Sequence, residues 1–273
     1  SNQEEDPAEL LDAKNNITDF VQRIQQMMPR LSMVKLVGGL TPREQGDVVY
    51  RQFESLATKL IGLVSQVDID SGHDRVIPFL RLDAGRNLTY LRTNFDLQGA
   101  RTEWLIRQSA PTLQHLRIMS HSDIDLVGII TGVDGGFVEL GMSWKKPQQY
   151  NFDGAVRFSN LRRLVTGGGY PFGDDLVLFK GNAATLKLLK LTLTRELVAT
   201  LLKRNIFTPT SHPKLQCVML ESHERVASLN HIYGPGVIRL MMDIAPGAAV
   251  REVFNWSLSQ EPYPLVLSTW QLH

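Results

Sequence analysis

One short phrase recurs along the chain: an apolar residue, two of any kind, an apolar residue, one of any kind, a third apolar residue. It reads Leu31-x-x-Val34-x-Leu36, Leu88-x-x-Leu91-x-Thr93, Leu113-x-x-Leu116-x-Ile118, Leu161-x-x-Leu164-x-Thr166, Leu186-x-x-Leu189-x-Leu191, Leu215-x-x-Val218-x-Leu220 and Val250-x-x-Val253-x-Asn255. Three copies follow the same punctuation, Pro29-Arg30-Leu31, Pro111-Thr112-Leu113 and Pro213-Lys214-Leu215. The spacing of the last two apolar positions is the two-residue period of a strand. Between copies the apolar residues fall at helical spacing, over 7–28, 42–60, 98–108 and 195–205, with shorter candidates at 74–82 and after Asp174-Asp175. A unit this small cannot bury its apolar side alone, so such units stack on their neighbours. The expectation is an α/β solenoid of eight or nine strand-helix units. Its parallel sheet lines the concave face and its helices the convex face.

Two parts of the pattern are less regular. The second unit is expected at Ser65–Asp70, with Val67 and Ile69 inward but off the common spacing. The stretch 120–157 reads as an irregular insertion with a polar loop at 145–154 and a degenerate strand at Phe137-Val138-Glu139-Leu140. Counting from Val138, the positions Leu88, Leu113, Val138, Leu161 and Leu186 stand 25, 25, 23 and 25 residues apart. The last two units widen to 29 and 35 residues. Residues 1–273 are expected to form a single solenoid domain, with a C-terminal cap at about 257–273.

The repeated phrase resembles that of the leucine-rich-repeat superfamily over most of residues 29–257. The period near 25 is similar to that of its intracellular types, among them the repeat domains of F-box proteins. The segment Gly168-Gly169-Tyr170-Pro171-Phe172-Gly173-Asp174-Asp175, with Leu178-Phe179 and Gly181-Asn182-Ala183-Ala184-Thr185-Leu186, is similar to uncharacterised fungal proteins of this type. The superfamily usually places Asn or Cys three residues after the third apolar position. This chain has Gly39, Asp96, His121, Gly169, Thr194 and His223 there, so the polar ladder of the family is degenerate. The resemblance implies a protein-interaction module, including the substrate-recognition part of an F-box-type ubiquitin ligase joined to its adaptor by an upstream module. No F-box signature is visible in residues 1–28.

Net charge is +1, which gives no general attraction to nucleic acid or to an anionic membrane. A single cysteine, Cys217, excludes an intrachain disulfide and points to a reducing compartment, cytoplasmic or nuclear. No apolar run approaches the ~18 residues of a spanning helix. Gly167-Gly168-Gly169 lacks the spacing and the Lys-Ser pair of a phosphate loop and reads as a turn after a strand. Asp68 to Asp74 resembles a calcium loop, but its glycine is one place early and its twelfth position is Phe79. His121, Asp123 and Asp125 form a weak metal cluster with no distant partner. Ser211, His212 and Asp243 have no nucleophile elbow around them. No cofactor or metal is expected, and no enzymatic activity.

Strand alternation sends the residues between the apolar positions to the concave face. One column is Lys35, Arg92, Arg117, Val165, Lys190, Met219 and Phe254; the other is Met33, Tyr90, His115, Arg163, Leu188, Cys217 and Glu252. Tyr90, Arg92, His115, Arg117, Arg163 and Lys190 therefore form a candidate binding patch. Its chemistry suits an acidic or phosphorylated segment of a protein partner. The competing readings are a hydrolase or transferase with its site in 120–175, and a purely structural scaffold whose charged face meets only solvent.

Overall fold

In a computed structural model the chain is described over residues 7–37, 48–70, 77, 79, 85–94, 99–120, 136–144, 157–168, 181–193, 210–222 and 249–253. Three helices and nine strands occur there in the order α1 (Pro7–Met27), β1 (Met33–Val37), α2 (Val48–Leu63), β2 (Gln66–Asp70), β3 (Tyr90–Asn94), α3 (Gly99–Ser109), β4 (His115–Ser120), β5 (Glu139–Trp144), β6 (Arg163–Gly168), β7 (Leu188–Leu193), β8 (Cys217–Ser222) and β9 (Ala249–Val253). The strands form one open, all-parallel sheet in which spatial order equals chain order. Among the nine described strands the order never reverses, so they form no switch point of the kind that opens a ligand crevice in doubly wound folds.

Two backbone features hold this stack in register. Within six of the nine described rungs, the N–H of the first apolar residue bonds a carbonyl three or four residues earlier: Leu31 to Met28, Leu88 to Gly85, Leu113 to Ser109, Leu161 to Phe158, Leu186 to Asn182 and Leu215 to His212. Between rungs, one carbonyl accepts two successive N–H groups. Ser32 O takes Ser65 and Gln66; Ser65 O takes Thr89 and Tyr90; Thr89 O takes Gln114 and His115. The series continues from Gln114 O through Val138 O and Arg162 O to Lys187 O, which takes Gln216 and Cys217. Side chains brace the same turns. Ser109 Oγ lies 2.7 Å from both Gly85 O and Leu105 O and shares its one proton between them, and Asn182 Oδ1 accepts Phe158 N–H at 2.8 Å. Gly85 sits at φ +84°, and a Cβ there would strike Leu105 Cδ1. The turn therefore requires glycine.

The apolar positions of the phrase form the core. Leu88, Leu91, Leu116, Phe137, Leu140, Leu161, Leu164, Leu186, Leu189, Leu191, Val218 and Leu220 are fully buried. They pack with Ala57 and Ile61 of α2 and Leu105 and Ile106 of α3, so the helices lie on the apolar side of the sheet. Thr93, a polar residue at the third apolar position, is also buried and pairs its hydroxyl with Thr102 of α3 at 3.4 Å. α1 packs on α2. Only part of its apolar stripe is covered: Val21 is buried, whereas Phe20, Met27 and the following Met28 are exposed.

Three registers differ from the sequence expectation. The unit at β2 follows the phrase after all, as Val64-x-x-Val67-x-Ile69, with all three residues buried. In the middle unit Leu140 pairs with Leu116, so Phe137, not Val138, is the first apolar residue. The spacings on either side become even, and the expected insertion contributes a full rung. In β9, Val250 pairs with Val218, a shift of three residues that puts Arg251 beside Met219 and removes Glu252 from its column; Phe254 lies outside the described residues. Gly167 and Gly168 are strand residues at the end of β6 rather than a turn. The segments 42–47, 74–76, 121–135, 145–156 and 195–205, the C-terminal cap, Asp243 and the degenerate ladder positions lie outside the described residues.

Leu189 is walled in by rungs on both sides and cannot collapse its cavity, so Leu189→Ala should lose about 2–5 kcal/mol of stability. The neighbouring Lys190, on the other side of the sheet, should cost about 0.5 kcal/mol or less as Lys190→Ala. Thermal denaturation of the two variants checks this, and equal losses would contradict the inward-outward assignment.

Candidate functional site

The side of the sheet opposite the helices carries the two columns, now fixed by register. The first runs Met33, Gln66, Tyr90, His115, Glu139, Arg163, Leu188, Cys217, Ala249. The second runs Lys35, Asp68, Arg92, Arg117, Gly141, Val165, Lys190, Met219, Arg251. All six expected site residues stand in these columns; Tyr90 and Arg92 lie on β3, His115 and Arg117 on β4 and Arg163 on β6, with the carboxylates of Asp68 on β2 and Glu139 on β5 beside them. Lys190 lies further along, between Val165 and Met219.

Glu139 is the centre of the cluster. Its residue is 2% exposed. Arg117 donates to Oε1 from Nε at 2.9 Å and from Nη2 at 2.5 Å. The other oxygen, Oε2, has His115 Nδ1 at 3.5 Å and Arg163 Nη1 at 3.7 Å. The first of these is at the outer edge of a hydrogen bond and the second is an ion pair without one. Burial pushes the Glu139 carboxyl up, but His115 and the charge and hydrogen bonds of Arg117 outweigh it and hold its pKa at about 2.

Asp68 makes the second centre, with a different balance. Arg92 Nη1 lies 3.4 Å and Lys35 Nζ 3.9 Å from its Oδ2, and Lys35 also reaches Asp70 at 3.9 Å. Its Oδ1 is buried without a hydrogen-bond partner. Here burial wins over the pull of Arg92 and Lys35, and the Asp68 carboxyl is raised. Tyr90 lies between the two centres, buried, with its ring 6.5 Å from that of His115, and burial raises its phenol as well.

Arg92 and Arg117 face each other directly across β3 and β4. Like charges in that position repel. The pair is accommodated because the two guanidiniums turn apart, Arg92 back to Asp68 and Arg117 forward to Glu139. Gly141 makes the second move feasible. A Cβ at Gly141 would stand 2.9 Å from Arg117 Cγ, so only glycine leaves the arginine stem room to lie across β5.

The sequence columns missed Gln66, Asp68, Glu139 and Gly141. The signal was present, since reading the middle unit as Phe137-x-x-Leu140-x-Met142 puts Glu139 beside His115 and Arg163. The other chemical candidates gain less. Asp68 and Asp70 are strand residues, and among the described residues no group of three or more ligating side chains could hold a metal ion. Ser211 Oγ lies 2.8 Å from Nδ1 of the adjacent His212, which is buried, and Cys217 is the buried first residue of β8. Among the described residues no helix is long and apolar enough to cross a membrane.

A carboxyl held at about 2 against an ordinary 4.5 contributes stability that is complete above the unfolded-state value and lost as pH falls from about 4.5 toward 2. Glu139→Gln should cost about 3 kcal/mol near neutral pH, because it leaves Arg117 buried beside a neutral amide. The gap from wild type should narrow below about pH 4.5. Denaturant melts across that range measure it, and a gap independent of pH would show that Glu139 carries no linked charge.

No family model matches the chain, and no curated protein or solved structure matches it either.

Proposed function

We propose that this chain is a leucine-rich-repeat solenoid serving as a non-catalytic protein-interaction module, with the face of its sheet opposite the described helices as the binding surface. The observation that carries the reading is the single in-order parallel sheet with one side on which none of the described helices packs. Such a stack presents a long surface of evenly spaced side chains. Tyrosine and arginine, the residues that anchor interfaces, are concentrated on that surface at Tyr90, Arg92, Arg117 and Arg163. Basic residues outnumber acidic ones along the two columns, which suits a partner with an acidic or phosphorylated segment. Within this reading, an F-box-type ubiquitin ligase is the assembly that would use the surface for substrate recognition.

The test is capture of partners from lysate with the full chain, read by mass spectrometry. Val165 is half-buried in the middle of the second column, between Gly141 and Lys190. Val165→Trp places an indole across the surface and should reduce partner recovery at least tenfold with the fold retained by circular dichroism. Arg107→Ala, on the exposed side of α3, should leave recovery unchanged. Equal recovery from both variants would move the interface to the helices.

A further inference from the structure

Resting on that reading, we infer that the recognition subsite lies at the β6–β7 end, where Arg163 receives a carboxylate of an extended acidic-apolar segment of a protein partner. The charges of the open face divide into two halves. From β1 to β5 each arginine has a close carboxylate: Arg92 has Asp68, and Arg117 donates from Nε and Nη2 to Glu139 Oε1. These groups position one another.

Arg163 is different. Its described contact is Glu139 Oε2 at 3.7 Å, outside hydrogen-bond range, and its side chain is 29% exposed. Glu139 already neutralises Arg117, so the charge of Arg163 is in excess. A guanidinium carries five donors in a planar fork that matches a carboxylate. An incoming carboxylate can therefore make the bidentate bonds that Glu139 does not.

The surroundings define what accompanies that carboxylate. Arg163 pairs in register with Leu188, and Val165 with Lys190. The four positions make a square with cations on one diagonal and half-buried apolar side chains on the other. Met219 extends the apolar floor beyond Lys190, and Cys217 extends it beyond Leu188. Neighbouring rungs lie about 4.8 Å apart and alternate residues of one strand about 6.6 Å. An extended segment can thus set an acidic side chain on Arg163 while an apolar neighbour covers Leu188 or Val165. The apolar floor excludes water from the ion pair and strengthens it. Lys190 adds positive charge across the diagonal. Glu221, near the end of β8, pairs in register with Thr192, one strand beyond Arg163.

The probe is a fluorescein-labelled peptide carrying Glu and Leu in a Gly-Ser background, with matched peptides in which Gln, Lys or phosphoserine replaces Glu. Fluorescence anisotropy with the full chain should show the Glu peptide binding at least tenfold tighter than the Gln or Lys peptide, and weakening as salt rises. Arg163→Gln should raise its Kd about tenfold, Lys190→Gln by less, and Lys35→Gln, at the opposite end of the sheet, should leave it unchanged. Arg163→Gln leaves Arg117 on Glu139, so its melting temperature should stay near that of wild type. Equal binding of the Glu and Gln peptides, an unchanged Kd in Arg163→Gln, or binding of the phosphoserine peptide alone would overturn the subsite. If Val165→Trp abolishes partner capture while Arg163→Gln leaves peptide affinity intact, the subsite fails and the interaction surface stands. If capture survives Val165→Trp, the surface reading itself fails.

Discussion

The carbonyl just before each strand accepts two consecutive N–H groups from the following rung, and this link sets the whole arrangement. It is made by the backbone, so it tolerates any side chain at that place: serine, threonine, glutamine, valine, arginine and lysine all occupy it. Because it recurs from Ser32 to Lys187, each strand starts level with the one before. Strand period is two, so a one-residue slip would send every core leucine to the open side. The repeated link and the buried leucines therefore enforce the same register. Neither would suffice alone, since a parallel pair cannot be closed by a tight turn and needs a long crossover each time.

Register also decides the electrostatics. Side chains on the open face meet only those one or two rungs away, which makes the choice of residue at each rung consequential. Two arginines stand directly opposite each other on β3 and β4, an arrangement that repels unless something draws them apart. Asp68 on one side and Glu139 on the other do so. The two carboxylates are not equivalent. Glu139 has Arg117, His115 and Arg163 around it and stays ionised against the cost of burial, while Asp68, with longer contacts and one unpartnered oxygen, does not recover that cost. The same chemical device is stabilising at one rung and costly three rungs away. The difference lies in the number and distance of donors.

Much of this was legible from the apolar phrase alone. Leu88, Leu113, Leu161, Leu186 and Leu215 each announced a strand in the right place, and alternation sent Tyr90, Arg92, His115, Arg117, Arg163 and Lys190 to the correct side. What failed to show was the middle of the site. Phe137 and Val138 are both apolar and adjacent, and counting from Val138 left this unit, with Glu139, out of the two columns. The unit at Val64 looked off the common spacing because its first apolar residue directly follows the last residue of α2, Leu63, and was not counted with the strand. In β9 two valines three residues apart offered two registers, and only pairing with Val218 distinguishes them. In each case the periodic signal was present in two phases, and backbone pairing selected one. The charge pairing could not be read at all without that choice, since a carboxylate one position off belongs to the opposite face.

The internal pairing bears on how a flat surface can recognise anything. Long arginine side chains lose considerable rotamer freedom when a partner immobilises them, and that cost subtracts from affinity. Here Arg117 is already fixed by Glu139 and by the space over Gly141, and Tyr90 is held by burial, so a partner meets a surface whose central rungs are ordered beforehand. The same pairing removes those rungs as sources of net attraction, because their charges are spent on one another. Affinity for an anionic group must then come from a cation whose own counter-charge is shared. Glu139 gives its close contacts to Arg117 and leaves Arg163 at 3.7 Å, which transfers the excess charge one rung along, to the edge of the ordered cluster and beside apolar residues. In the proposed binding role, a rigid, neutral centre with a charged margin would distinguish this face from a merely solvated basic surface, on which every cation would be equally mobile and equally screened.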